Sequence, residues 1–178
     1  MSVTDDKKAL RKELIRRRSE LPRDEKAAAD ERIFLRLLPF LEECSGVFTY
    51  VSTDIEVDTH RLLEWCFSHG KPAAAPVSGD SDLIFYGVGS FGELAPGRFG
   101  IMEPVNRSTP AVPDSRSLCI VPALQCSKDG YRLGYGRGYY DRYLADFPGR
   151  SLVICYSGFV GNVPTEPHDR RADMLITD

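Results

Sequence analysis

A glycine-rich segment between residues 130 and 142 carries the clearest signal for ligand binding. It places four glycines among Arg132, Arg137 and Arg142, after an apolar strand and before a helix. Glycines let backbone N–H groups approach a ligand with no Cβ in the way, and the start of a helix adds the positive end of its dipole. The spacing fits neither the dinucleotide-binding fingerprint nor the P-loop. We therefore predict a phosphate-binding loop; the alternative is a tight turn with solvated arginines.

Asp141 lies one turn inside the predicted helix that follows this loop. A carboxylate there would repel phosphate unless a cation lay between them, and Mg²⁺ held by one or two carboxylates and by phosphate oxygens meets that need. The alternative, which stays equally open, is a surface aspartate paired with Arg137 or Arg142. Asp173, at the start of the last predicted strand, is a possible second carboxylate, although its position alone would make it a loop residue.

The first predicted helix has a basic face that borders its apolar stripe. At about 100° per residue, Lys7, Arg11 and Arg18 fall within a sector of roughly 60° that also contains Leu14. Long cationic side chains beside an apolar face can lay their stems on the core and present their heads to a ligand phosphate. The alternative is a solvated basic surface.

The acidic alternation Asp54, Glu56, Asp58 does not fit a calcium loop. An EF-hand starting at Asp54 would need a glycine and a glutamate where Thr59 and Trp65 stand. We interpret Asp58 as the N-cap of the next helix. Glu56 could accept hydrogen bonds from an amino-heterocycle.

Cysteines and histidines give no metal or nucleophile pattern. The five cysteines are an odd number with no two-residue-gap pair, so small buried hydrophobic residues are the better interpretation than a disulfide framework. His60 and His69 are predicted on a helix surface and His168 on a loop after a proline. No Ser-His-Asp arrangement is supported.

The composition sets the class of protein. The chain has 178 residues, 42% of them apolar and 28% charged, with a formal net charge of -3, which suits a single domain with a sizeable core. So small a charge disfavours general attraction to nucleic acid or membrane surfaces. No apolar run approaches the roughly 20 residues of a spanning helix. The charged start at Met1 lacks the apolar core of a signal peptide, so we expect a cytoplasmic protein.

The hydrophobic pattern alternates between helices and strands, which favours an α/β domain with a largely parallel sheet. Pro22 and Pro39 are expected to punctuate the first two helices, and residues 89–117 are expected to form a long loop. Helices are predicted over residues 4–20, 24–38 and 139–147 and in a segment ending at Gly70. Strands are predicted over residues 47–51, 73–77, 83–88, 118–124, 151–156 and 172–177. The strands 73–77 and 83–88 could pair as a hairpin.

Two stretches, Val121–Leu124 and Tyr131–Leu144, closely resemble the signature of the 5-formyltetrahydrofolate cyclo-ligase family. The likeness extends over nearly the whole chain. It includes the segments Lys7–Arg11, Tyr50–Thr59, Phe99–Pro104 and Glu166–Asp169, together with Ala172 and Asp173.

The resemblance implies a single cyclo-ligase domain over residues 1–178, with a three-layer α/β/α fold like that of ribose-5-phosphate isomerase and the CoA transferases. It also implies an ATP- and Mg²⁺-dependent enzyme that converts 5-formyltetrahydrofolate, with or without a polyglutamate tail, to 5,10-methenyltetrahydrofolate. We expect a monomer. A folate or nucleotide sensor without catalysis is the alternative, while a sugar-phosphate isomerase would want a carboxylate and lysine pair that we do not find.

The resemblance also assigns residues. Arg132 and Arg137 are expected to be catalytic, and Asp141 and Asp173 to hold the metal. Residues expected at ATP are Lys7, Lys8, Ala9, Leu10, Arg11, Arg132, Leu133, Gly134, Tyr135, Gly136, Arg137, Gly138, Tyr139 and Tyr140; those expected at the folate are Val51, Glu56, Tyr135, Gly136, Arg137, Gly138 and Tyr139.

The chain departs from the family pattern at two places. Ser127 stands where many relatives carry an aspartate, so no carboxylate is available there. Leu83 stands where a methionine commonly lines the folate pocket, which keeps that surface apolar.

Overall fold

The computed structural model describes residues 3–178; Met1 and Ser2, the beginning of the charged start considered above, lie outside the described residues. Within them the central sheet has the strand order β10-β9-β6-β1-β2-β3, and two small two-stranded sheets pair β4 with β5 and β7 with β8. The helices are α1 (Val3–Ser19), α2 (Arg23–Glu43), α3 (His60–Ser68) and α4 (Tyr139–Ala145), and the strands are β1 (Val47–Thr49), β2 (Ala73–Ser78), β3 (Leu83–Val88), β4 (Leu94–Pro96), β5 (Met102–Pro104), β6 (Leu118–Val121), β7 (Gln125–Cys126), β8 (Arg132–Leu133), β9 (Arg150–Ile154) and β10 (Met174–Ile176).

The central sheet is parallel except for β3, which pairs antiparallel with β2. Every residue of β6 is buried, as a nearly continuous apolar run predicts for a strand covered on both faces. The connections β1-α3-β2 and β6-α4-β9 run in opposite directions along the sheet, so right-handed crossovers place α3 and α4 on opposite faces. The predicted α/β class and largely parallel sheet are confirmed.

The first two helices follow their apolar patterns, but Pro39 does not end α2, which continues to Glu43. Proline has no N–H to donate to the preceding turn. Leu37 and Leu41 are buried on either side of it, and their packing keeps the helix continuous. The prediction that Pro39 closes the helix was therefore wrong.

The structure also contains two short β-hairpins that were not predicted from the sequence. The predicted loop 89–117 contains β4 and β5, which pair from Leu94 with Pro104 to Pro96 with Met102. The pair β7 and β8 precedes the glycine loop and brings Cys126 beside Arg132. Strands of two or three residues are too short to carry a measurable period.

All five cysteines are buried and free, which confirms their interpretation as small core residues. Burial raises the pKa of the Cys66 thiol to about 12, so it stays protonated at neutral pH. Over residues 3–178, none of the helices combines the length and apolarity that crossing a bilayer requires.

Candidate functional site

The glycine loop, residues 134–138, connects β8 to α4. Gly136 and Gly138 adopt positive φ angles of 95° and 67°, and Gly138 immediately precedes the helix. Tyr135, Gly136 and Arg137 are exposed. The loop is therefore open to solvent, as a phosphate cradle requires, and does not point into packed protein.

Helix α1 delivers two cations to this loop and its surroundings. The Arg11 Nε donates to the carbonyl oxygen of Gly134 at 2.8 Å. Lys7 is buried, and its Nζ donates to Glu166 Oε2 at 2.8 Å and to Asp169 Oδ2 at 2.7 Å. Burial acts to lower the pKa of Lys7, but these two carboxylates together raise it above its ordinary value. Lys7 is therefore a fixed positive charge. Of the other residues predicted here, Lys8 and Ala9 are exposed and Leu10 is half-buried.

Asp141 is paired with Arg132. The Arg132 Nη2 donates to Asp141 Oδ1 at 3.0 Å, and its Nη1 donates to the Arg170 carbonyl oxygen at 2.8 Å. The backbone N–H of Arg170 completes the ring by donating to the same Asp141 oxygen at 3.0 Å. The alternative predicted from the sequence was an ion pair of Asp141 with Arg137 or Arg142. Arg142 instead donates to the carbonyl oxygens of Ser81 and Arg137.

Lys7 and Asp141 consequently lie on the same side of the molecule. Lys7 contacts Asp169, and Asp141 contacts the next residue, Arg170. The adjacent residues Asp169 and Arg170 therefore connect the first helix to the start of α4, the two segments that were predicted to form one nucleotide site.

Asp173 has different surroundings. Its Oδ2 accepts hydrogen bonds from the backbone N–H of Ser151 at 2.7 Å and from the Ser151 hydroxyl at 2.8 Å. Ser151 lies at the amino end of β9 and Asp173 directly before β10. The two carboxylates expected to hold the metal therefore have separate sets of partners, and their pairing stays a prediction.

Glu56 is a buried carboxylate in the loop between β1 and α3. Its Oε2 accepts from the Thr53 N–H at 2.8 Å and from the Thr53 hydroxyl at 2.9 Å. Burial, followed by the charge of the nearby Glu56, raises the pKa of Tyr135 in the glycine loop. Val51, the second residue after β1, is buried in the same loop. Arg18 joins this loop to the segment before the glycine loop, because it donates to the Ile55 and Leu124 carbonyl oxygens.

The beginning of α4 is held from the other side. The Tyr139 hydroxyl donates to the Gly79 carbonyl oxygen, just beyond β2, at 2.9 Å. Within the described residues, the Tyr140 hydroxyl is buried and lacks a hydrogen-bond partner. Leu133 is buried in the core. The hydrogen bond from Tyr139 fixes α4 relative to the carboxyl end of β2, and ligands commonly bind at the carboxyl ends of parallel strands.

Other predicted residues have structural partners. The Asp58 carboxylate accepts from the backbone N–H groups of His60 and Arg61 at the start of α3, but the N-cap residue is Thr59, so the predicted N-cap position was one residue too early. Burial acts to raise the pKa of Asp58, but hydrogen bonds from His60 and the backbone lower it to about 2. The Ser127 hydroxyl accepts from the N–H of Tyr131 and helps close the turn between β7 and β8.

Three residues that help to build the site, Glu166, Asp169 and Arg18, were not predicted from the sequence. Glu166 and Asp169 belong to a quoted motif but received no role, and Arg18 received none beyond its place in the basic sector. Arg18 is 2% exposed, and its guanidinium donates to the Leu124 carbonyl oxygen at 3.1 and 2.9 Å and to the Ile55 carbonyl oxygen at 3.2 Å. Its shared sector with Leu14 was the signal that could have identified it as a buried anchor.

Comparison with known proteins gives a consistent result. The model of the 5-formyltetrahydrofolate cyclo-ligase family matches residues 3–178. A 5-formyltetrahydrofolate cyclo-ligase of Mycoplasma pneumoniae is 28% identical over 181 residues, covering 97% of this chain and 99% of the relative.

Solved structures agree with this match. A 5,10-methenyltetrahydrofolate synthetase from Mycoplasma pneumoniae superposes with a TM-score of 0.77 at 28% identity, covering 97% of this chain and 99% of that one. A 5,10-methenyltetrahydrofolate synthetase of Aquifex aeolicus superposes with a TM-score of 0.83 at 31% identity, covering 96% of this chain and 88% of that one.

Proposed function

Because the chain belongs to the 5-formyltetrahydrofolate cyclo-ligase family, we propose that it uses ATP to convert 5-formyltetrahydrofolate to 5,10-methenyltetrahydrofolate, releasing ADP and phosphate. The observation that carries the proposal is the hydrogen bonding of Arg18, which donates to the Ile55 carbonyl oxygen beside Glu56 and to the Leu124 carbonyl oxygen, while the Leu124 N–H donates to the Leu133 carbonyl oxygen at the start of the glycine loop. The proposed phosphate-binding loop and a buried carboxylate suited to a heterocycle are therefore held near each other, and a reaction that joins ATP to a pterin needs both.

The chemistry follows from the leaving group. The formyl oxygen is amide-like, and ring closure that expelled it as hydroxide would be slow. Attack of that oxygen on the terminal phosphorus of ATP forms a phosphate ester and releases ADP. N10 of the same folate then attacks the activated carbon, the phosphate departs with the oxygen, and the N10 proton is released to solvent. Both steps need positioning and charge neutralisation, and neither needs a nucleophile from the protein.

The basic residues of the site suit that task. Arg11 and Lys7 approach from α1, and Arg137 comes from the glycine loop itself. In our proposal these charges and the loop amides bind the triphosphate and stabilise the charge that develops during transfer. Arg132, whose side chain is only 4% exposed, would add its charge from beneath the loop while holding Asp141.

Asp141 is suited to a hard divalent cation. The hydrogen bonds that it accepts from Arg132 and Arg170 both fall on Oδ1, which makes Oδ2 the atom that would meet the ion. Asp173 is the proposed second carboxylate. When bound, Mg²⁺ would neutralise phosphate oxygens beside the glycine loop.

The folate side of the proposal rests on the loop after β1. The Glu56 carboxylate would accept hydrogen bonds from the amino edge of the pterin, while Val51 and the segment from Tyr135 to Tyr139 contact its ring. Burial of Glu56 favours its use in recognition, since a ligand that reaches it must replace water with well-placed donors.

The test is an assay for the methenyl product by its absorbance, using purified protein, 5-formyltetrahydrofolate, ATP and Mg²⁺. We expect turnover that requires ATP, with ADP released in equal amount. Omission of ATP is the matched control. Binding of folate and ATP by calorimetry without product would contradict the proposal and favour a sensor.

A further inference from the structure

The turn formed by residues 166–169 encloses the Lys7 ammonium, and the reaction described above gives this turn no role. Lys7 is 6% exposed, and the carboxylates of Glu166 and Asp169 lie within hydrogen-bond distance of its Nζ. One turn further along α1, Arg11 is bonded to the glycine loop. Residues four apart on a helix lie about 6 Å apart along its axis, so Lys7 faces the same space as Arg11.

The two carboxylates differ in how firmly they are held. The Asp169 side chain is 14% exposed, and its Oδ2 accepts from both Lys7 and the backbone N–H of Glu166, each at 2.7 Å. The Asp169 N–H donates back to the Glu166 carbonyl oxygen at 3.0 Å, which closes the turn. Asp169 is therefore locked in place by the backbone that carries it.

Glu166 is less constrained. Its side chain is 29% exposed and contacts Lys7 through Oε2 at 2.8 Å, with the mostly exposed His168 ring 3.9 Å from the same oxygen. Its longer side chain can rotate away without breaking the turn, because the hydrogen bonds that close the turn use the backbone of Glu166 and the carboxylate of Asp169.

Charge balance requires that one of the two carboxylates leave Lys7 when a triphosphate binds, and Glu166 is the one less firmly held. One ammonium between two carboxylates carries a net negative charge, which would repel a triphosphate, whereas one ammonium with one carboxylate is neutral and keeps donors to offer. We propose that Asp169 is a positioning residue that aims Lys7 at the phosphates of ATP, and that Glu166 occupies the remaining side of Lys7 until a phosphate oxygen replaces it. This inference rests on the proposed function.

Steady-state kinetics test the division of roles. Asp169→Asn keeps the shape of the side chain but removes its charge. We expect KM for ATP to rise about tenfold or more, because a charged hydrogen bond to Lys7 is lost, and KM for the folate to stay unchanged. Glu166→Gln should leave KM for ATP unchanged or lower it. Glu20→Gln, which removes an exposed carboxylate that lies just beyond α1 and pairs with Arg16 of that helix, is the matched control and should change neither constant.

A double-mutant cycle shows whether Asp169 acts through Lys7. In a Lys7→Met background, Asp169→Asn should produce no further rise in KM for ATP, because the group that it positions is gone. Asp169→Glu, which restores the charge, should recover part of the affinity, and thermal melting of each variant separates loss of folding from loss of binding.

Equal rises in KM for ATP from Asp169→Asn and Glu166→Gln would overturn the proposal. So would an undiminished rise in KM for ATP from Asp169→Asn in the Lys7→Met background. If the wild-type protein binds ATP but forms no product, the proposed function fails. The same variants then test positioning through the calorimetric affinity for ATP, and a wild-type protein that binds no ATP overturns both.

Discussion

Substitution of Gly136 by alanine separates backbone strain from damage to the proposed nucleotide site. A Cβ at this position would lie 2.9 Å from the Arg11 Cζ and 3.2 Å from its Nε. Ordinary contact begins near 3.4 Å, so the guanidinium must move by about 0.5 Å. That movement acts directly on the 2.8 Å hydrogen bond from Arg11 to Gly134.

Two energies follow from this geometry. Gly136 has a φ of 95°, and a residue with a side chain in the left-handed region costs roughly 1–2 kcal/mol, which should appear as a lower free energy of unfolding. The displacement weakens the charged hydrogen bond of Arg11, which is worth about 1.5–3 kcal/mol when intact, so we expect KM for ATP to rise by up to about tenfold.

Gly70→Ala is the control, because Gly70 has a φ of 62° and a Cβ there would meet nothing within 4 Å. It should show a similar loss in urea unfolding but a normal KM. In an Arg11→Ala background, Gly136→Ala should retain its cost in stability and lose its effect on KM. A normal KM for Gly136→Ala, or an equal rise for Gly70→Ala, would refute the reasoning.

Other substitutions test the remaining parts of the site. Arg137→Ala and Asp141→Asn should each depress ATP-dependent turnover far more than the melting temperature, since Arg137 is exposed and an asparagine still accepts from Arg132; unchanged specific activity with lost stability would remove that residue from the site. Glu56→Gln should weaken folate binding more than ATP binding in isothermal titration, and the reverse would exclude Glu56 from the pterin. Because its pKa is about 2 when folded and 3.8 ordinarily, Asp58 should stabilise the protein fully above pH 3.8, and this contribution should disappear as the pH falls through about 2. The difference in unfolding free energy between wild type and Asp58→Asn should therefore close over that range, and a constant difference would contradict the pairing.

The elements with strong periodic patterns could be predicted from sequence, and those held by distant contacts could not. The buried run of β6 and the stripe of α2 are local signals, so the start of each element was predicted to within one residue, although the end of each was not. Pro39 opposed that local signal and was outweighed by packing on both sides of it. The pairs β4 with β5 and β7 with β8 depend on partners across a turn, which no single short strand reveals.

The site shows the same division. Alternating glycines and the sector of Lys7 and Arg11 were visible in the sequence because they are properties of one loop and one helix. The contact from Lys7 to Asp169 spans 162 positions along the chain, and no spacing rule predicts it. The choice of Arg132 as the partner of Asp141 depends likewise on how β8 delivers its side chain to α4.

One face of α1 carries both the Arg18 anchor and the cations of the proposed ATP site, so the packing of this helix would affect nucleotide binding. Lys7, Arg11, Leu14 and Arg18 recur at intervals of three and four residues, so they share that face. Arg18 fixes its end of the helix to the Leu124 and Ile55 carbonyl oxygens, and its guanidinium also lies over the Phe159 ring at 4.8 Å. Lys7 is eleven residues away, about 16 Å along the helix axis. A small tilt about the Arg18 anchor is therefore largest at the ammonium, and the contacts of Arg11 and Lys7 with separate loops are what hold that end in register.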